Sequence, residues 1–485
     1  MDGQGRRPRR GRPHPAAVSP EGDGAHPLEA RLWERLQGLP GREREALRRR
    51  VETAERERAL LHRTRPGARP TPHPIALTPF LVPRRLLPAL AELARGVHRF
   101  QAKAPELYRA GALGFRELCP LDATTEAWLF GYQRPASDRD LMIRLDVGLA
   151  ADGRVALYET NSTALAGLFN HATGVEILQG LVYPRLLTRA ERRGLGPPPD
   201  LLAFVFDWVA ETAHRLGLPG RRLGVAFVEP SGPGEGYSEI PAITRYFGAR
   251  GVRASTGDPR QLHLDRDGVV LKGAPVDLVY RDVAFQDLGD PPAAGRRLAG
   301  FRALLERQAV VPGFSAEFDH KGLLECLTSP AYQRFFSARE RARFRAAVPW
   351  TRVLRARRTE SLGGEGIDLP RYVSKARDRL LIKPNRGSGG EGVVLGWTVP
   401  PARWERAIER ALREPGRWVV QERVEAARRP MVYLQDGALH FAPCYASLGL
   451  FYVRERLGLH CRVSRVEVVN VGRGGALACA FVARG

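Results

Sequence analysis

A mixed α/β (α+β) protein of several domains is what this 485-residue sequence predicts, and three observations carry the expectation. The run RRLGVAFVEP at 221–230, the helix-like EIPAITRYFGARG after it and the strand VDLVYRD at 276–282 alternate as a small α/β unit with a parallel sheet does. The stretch RLDVGLAADGRVALYETN at 144–161 reads as a hairpin around an Asp-Gly turn. Four glycines crowd into LLIKPNRGSGGEGVVLG, 380–396, between two strand patterns.

Composition narrows the class. With 43% hydrophobic residues the chain can build two or three cores. No apolar run approaches the roughly 20 residues that span a bilayer, and the N-terminus lacks a signal peptide's apolar stretch, so a cytoplasmic protein without a membrane partner is expected. A net charge of +23 suggests nucleic acid, but only five of the 76 basic residues are lysines and the arginines run from end to end. That bias reads as the mark of a GC-rich genome, and it makes each lysine worth inspecting, because a planar guanidinium cannot replace a compact ammonium everywhere. Five scattered cysteines without CxxC spacing point to reduced, buried thiols.

The elements follow in order. Residues 1–26, rich in Arg, Pro and Gly, are expected to be disordered. Leu28, Leu32, Trp33 and Leu36, then Leu47, Val51, Ala54 and Leu61, recur at helical spacing around Leu39-Pro40-Gly41, giving an accessory helical hairpin with a solvated Glu/Arg face; the first unit is therefore 1–70. Residues 71–199 hold mixed structure and the 144–161 hairpin, ending in a Pro-rich linker; 200–310 form the small α/β domain. In 311–485 a helix from near Glu317 through Leu327 precedes a charged helix at 338–347, the strand 380–383, the glycine loop, a strand at 393–396, a helix at 401–413, the strand 418–424 and mostly strands thereafter.

The glycine loop points to phosphate. Gly387, Gly389, Gly390 and Gly392, with Ser388 among them, let the backbone direct N–H groups at anionic oxygens, and Lys383 on the preceding strand brings an ammonium to the same place. A dinucleotide fold needs a helix straight after such a loop, whereas VVLGW reads as a strand. The chain has no H-R-D or D-F-G run for a kinase and no G-x-x-x-x-G-K-[ST]. Downstream, WVVQERV ends an apolar strand in Gln421 and Glu422, a strand end suited to an adenine edge.

Together IKPNRGSGGEGV and VVQERV resemble the lysine, glycine-rich flap and hinge strand of the ATP-grasp family. The resemblance implies Lys383 on nucleotide phosphates, Gly387 to Gly392 as the flap, and Gln421, Glu422 and Val424 around adenine. The first nucleotide lysine is expected at Lys321, with Lys375 the alternative. ATP use requires Mg²⁺ held by oxygen ligands. Asp146 on one hairpin strand, and Glu159 and Asn161 two apart on the other, supply them, and Arg144 shares the Asp146 face, positioned for a transferring phosphoryl group. R-x-D followed by E-x-N resembles the family's metal-binding end, yet it precedes the flap by more than 200 residues, while NVGRGG at 470–475 resembles the stretch that normally comes before it. A circularly permuted ATP-grasp core, similar to that of glutathionylspermidine synthase-like proteins, reconciles the order.

The resemblance implies an ATP-dependent carboxylate–amine or carboxylate–thiol ligase acting on a small-molecule or peptide carboxylate through an acyl phosphate and ADP. Arg144, Lys383 and Arg473 would be its catalytic cations. The alternatives are a catalytically silent nucleotide-binding protein and a basic nucleic-acid-associated protein.

Overall fold

The structure, a computed structural model, describes residues 26–63, 68–131, 141–218, 220–231, 238–289, 296–387 and 389–484. The expectation of disorder for 1–26 falls almost wholly outside these residues, as does Ser388.

The largest element is a seven-stranded sheet whose strands come from distant parts of the chain. Its order runs Arg428–Gln435, Ile75–Ala76, Ala476–Ala478, Arg456–Ser464, Ala438–Val453, Ile143–Leu149, Val155–Asn161. Hairpins join the C-terminal strands, because Asp436-Gly437 and Arg454-Glu455 adopt the positive φ that tight two-residue turns require. Long-range pairing of Ile143–Leu149 with Ala438–Val453 then attaches the acidic hairpin to the sheet's edge. Ala480–Ala483 pairs in parallel with Phe80–Pro83. Segments 71–199 and 311–485, which the permuted order predicts to complete one core, contribute strands to this one sheet. Which strands pair, hundreds of residues apart, leaves no local sequence signal.

Opposite this sheet stands a smaller antiparallel one, in the order Thr351–Val353, Trp418–Glu422, Leu380–Pro384, Val394–Leu395. The helix Pro401–Arg413 backs it. Proline opens that helix where its missing N–H costs nothing, and Trp404, Ile408 and Ala411 at i, i+4, i+7 bury one stripe against Val373, Ile382 and Val420. The small α/β domain is a parallel sheet in the order Val310–Val311, Leu278–Arg281, Gly224–Val228, Arg253–Gly257. Helices Leu201–Arg215 and Ile240–Gly248 cover it.

The N-terminal helices Pro27–Gly38 and Gly41–Glu57 are integral to the body, unlike the accessory hairpin expected. Trp33 meets the edge of Phe441 at 5.3 Å, and fully buried Glu29 binds Arg429 at 2.7 Å while accepting the Leu81 amide. Only the outer face matches the expected Glu/Arg lattice, where Arg48 bridges Glu45 and Glu52. All five cysteines are free and buried. Among the described residues no helix is long and apolar enough to cross a membrane.

Candidate functional site

The acidic hairpin, the two lysines and the glycine loop meet between the seven-stranded sheet and the smaller antiparallel one. Arg144 pairs with Asn161 and Asp146 with Glu159 across the hairpin, so all four lie on one face. A bulge follows immediately, between Asp146 and Val147, and turns the Tyr158 carbonyl toward the smaller sheet, where it accepts the Lys383 Nζ at 2.8 Å. Lys321 Nζ stands 3.3 Å from Glu159 and 3.2 Å from the Gly387 carbonyl. Lys321 and Lys383 therefore both reach the hairpin, whereas Lys375 is exposed on the helix Leu369–Lys375.

Burial shapes the charges. Desolvation pushes Lys383 down to about 7, and neighbouring Lys321 adds to the lowering against the opposing pull of Glu159. Burial works against an ionised Asp146 as well, but the Arg144 and Arg462 guanidiniums outweigh it and hold the carboxyl well below the usual range.

Several side chains depart from their expected contacts. Asp146 receives Arg144 Nε at 2.8 Å, Arg144 Nη2 at 3.2 Å and Arg462 Nη2 at 2.5 Å, so both its oxygens are committed to guanidiniums and not to a cation triad. Arg144 also donates to the Ala166 carbonyl at 3.0 Å. Gln421 points inward: its Oε1 accepts from Lys383 at 2.8 Å and its Nε2 donates to Thr351, which removes the side chain from an adenine edge. Glu422 accepts the Trp350 amide at 3.2 Å. Val424 is half-buried just past the strand Trp418–Glu422, and beyond it Glu425 and Ala427 bond the hairpin at Ala151 and Leu149.

Arg473 is exposed and donates to the glycine-loop carbonyl of Gly389 at 2.9 Å. Gly389, Gly390 and Gly392 all have φ near +70°, and a Cβ on Gly390 would collide with Val468. Glycine is required there by both backbone and space. Segment 468–473, from the far end of the chain, thus seats the loop.

His460 and Arg462 were not singled out from sequence, although they lie two apart on one strand and hence on one face. His460 is kept neutral chiefly by burial. Its Nδ1, Arg462 Nε and Asn161 Nδ2 are buried without a hydrogen-bond partner. Unpaired buried polar atoms gathered on one face of the sheet suit a polar ligand. His320 is a structural residue: it hydrogen-bonds the Pro120 carbonyl at 2.8 Å and burial pushes it down to about 3. Ser238 and Glu239 serve helix starts, Glu239 accepting the Gly167 and Phe169 amides.

Among the described residues no group of three or more His, Cys, Asp and Glu side chains is placed to hold a metal ion. A magnesium that keeps waters and phosphate oxygens needs only one or two protein donors. Glu159, with 26% of its side chain exposed, and Asn161 on the same face fit that need.

These features define an α/β protein in which two lysines and a glycine loop converge on an acidic hairpin. No known protein-family profile matches the chain. "Putative glutamate--cysteine ligase 2-2" of Frankia casuarinae is 25% identical over 311 residues, 53% of this chain and 34% of that protein. "Putative glutamate--cysteine ligase 2-3" of Frankia alni is 32% identical over 111 residues, 21% of this chain and 12% of that protein. The chain therefore spans about a third or less of the curated relatives it matches. A solved glutathione synthetase-like effector from Globodera pallida, in apo form, superposes with a TM-score of 0.60 over 92% of this chain and 98% of that one. At 11% identity, that likeness speaks of fold alone.

Proposed function

We propose that the chain is an ATP-dependent ligase with a circularly permuted ATP-grasp core, joining a small-molecule or peptide carboxylate to an amine or thiol through an acyl phosphate and ADP. The observation that carries the reading is the convergence of Lys321 and Lys383 on the Glu159 hairpin beneath the glycine loop. The curated relatives carry the name of a ligase, glutamate–cysteine ligase, and the glutathione synthetase-like effector supports the fold of the reading.

Lys321 and Lys383 bind the nucleotide phosphates, and the loop amides add donors that need no reorganisation when charge shifts. Glu159 and Asn161 would hold Mg²⁺, which supplies charge neutralisation at the phosphates. Arg144, held rigid by Asp146 and the Ala166 carbonyl, keeps N–H groups for the transferring phosphoryl group, and Asp146 stops the two guanidiniums from repelling one another. The carboxylate oxygen attacks the γ-phosphorus and ADP leaves. The amine or thiol then adds to the acyl carbon and phosphate leaves. No protein nucleophile takes part. Adenine is read by the hinge backbone near Val424, because Gln421 is occupied with Lys383.

Incubation with Mg-ATP and pooled carboxylates and amines, followed by product analysis, tests the reading. ADP and phosphate released only when both acceptors are present is the expected result. Release of AMP and pyrophosphate overturns the acyl-phosphate route, and full activity in Lys383→Ala removes the site assignment.

A further inference from the structure

The base of the glycine loop is held by an ion network that the reaction itself does not use. Arg386, just before Gly387, donates Nη2 to Glu317 Oε2 at 2.7 Å and Nε to Asp319 Oδ1 at 3.0 Å. The other oxygen of Glu317 accepts Arg281 Nη1 at 2.7 Å. Glu317 and Arg281 are each 1% exposed. Arg281 ends the strand Leu278–Arg281 of the small α/β domain, where it is fixed by the carbonyls of Pro312, Val283 and Gly313 and by the Phe285 ring. The residues on either side of Arg386 are held by the same connecting segment: the Lys321 amide donates to the Asn385 carbonyl, the Gly322 amide to Asn385 Oδ1, and Lys321 Nζ to the Gly387 carbonyl.

We infer that Glu317 is a positioning residue, whose single carboxylate ties the flap base at Arg386 to Arg281 at the carboxyl end of the small domain's sheet and so sets where the flap rests. A buried ion pair is a poor device for stability alone, since apolar residues of similar volume serve as well. Its use is registry. Glu317 joins three segments that no local contact aligns: a small-domain strand, the connecting segment and the loop. The carboxyl ends of open parallel strands are where ligands meet such sheets, so the tether links that end to the flap. The inference rests on the reading of 387–392 as a nucleotide flap.

The test uses the full chain. Hydrogen exchange of residues 389–392 is measured in the ligand-free protein, and Mg-ATP affinity by titration, for Arg386→Gln, Glu317→Gln, the double variant and Glu317→Asp. Each single Gln variant is expected to speed flap exchange and weaken Mg-ATP about tenfold, with the double variant's effect clearly smaller than the sum of the two, because both changes break the same Arg386–Glu317 contact. Glu317→Asp is expected to restore part of both. Unchanged flap exchange in a folded Arg386→Gln protein, or effects that add in the double variant, overturns the inference. Should Glu317→Gln fail to fold, Arg386→Gln carries the test, since Arg386 is 21% exposed and its loss leaves the Arg281–Glu317 pair intact. A wild-type protein with no Mg-ATP affinity sinks the nucleotide reading, and the exchange measurement still decides the tether.

Discussion

Asp146 and Glu159 are carboxylates directly opposite one another on a single hairpin, and the fold gives them different work. Asp146 is 3% exposed and clasped by Arg144 and Arg462; Glu159 is 26% exposed and pairs with Lys321 at 3.3 Å. The first is an internal counterion that keeps two guanidiniums in place. The second remains open enough to share with a ligand. Identical charge on neighbouring strands therefore says little about role until the partners brought by other segments are known.

That contrast is sharpest in catalysis. Glu159→Ala is expected to lower ATP turnover about 10²–10³-fold while the denaturation midpoint changes little, because one group that stabilises developing charge is removed from a half-open position. Equal turnover in the two proteins breaks the distinction from the Glu159 side.

Asp146→Asn should behave in the opposite way, destabilising the chain by about 3–5 kcal/mol in urea unfolding, since two buried guanidiniums lose their counterion. The sign with pH follows from its lowered folded pKa. An unfolded Asp titrates near 4. The stabilisation is complete above that value and drains away as pH falls further toward the folded pKa. An acid-unfolding curve that is the same in wild type and Asp146→Asn contradicts the counterion role.

Lys383 offers a subtler test, because its pKa of about 7 leaves the free protein partly deprotonated near neutrality. Phosphate binding favours the ammonium, so Mg-ATP affinity should fall as pH rises above 7, approaching about tenfold per unit. Lys383→Arg, charged throughout, should flatten that profile in isothermal titration. The smallest effect is expected at the flap. Gly390→Ala places a β-carbon at positive φ and against Val468, and should weaken nucleotide affinity roughly tenfold, since a left-handed alanine costs about 1–2 kcal/mol.

Much of the local structure is legible in the sequence because it depends on local periodicity and turn chemistry. The helices Pro27–Gly38, Ala338–Ala347 and Pro401–Arg413, and the hairpin strands Ile143–Leu149 and Val155–Asn161, lie within a residue or two of where spacing and turns place them. The candidate site is legible only in part. Lys321, Lys383, Glu159, Asn161 and the glycine loop are brought together. Gln421 carries no mark in sequence that it will bind Lys383, since its partner is supplied by strand pairing at Lys383–Val419 and not by anything adjacent to it. His460 and Arg462 passed as ordinary strand residues because an alternating strand looks the same whichever face receives a ligand.

By itself, the sequence determined the short-range pieces: a glycine loop that only a glycine-rich run can form, a lysine beside it, and a hairpin with its polar residues on one face. These follow from backbone sterics and the two-residue repeat of a strand, which act over a few residues. Only the tertiary structure decided which strands from 75–76, 143–161 and 428–478 pair in one sheet, that Asp146 belongs to two arginines, and that Glu317 binds both Arg386 at the base of the glycine loop and Arg281 on a distant strand. Those outcomes depend on which charged groups are buried together, and burial is settled by contacts between residues far apart in the chain.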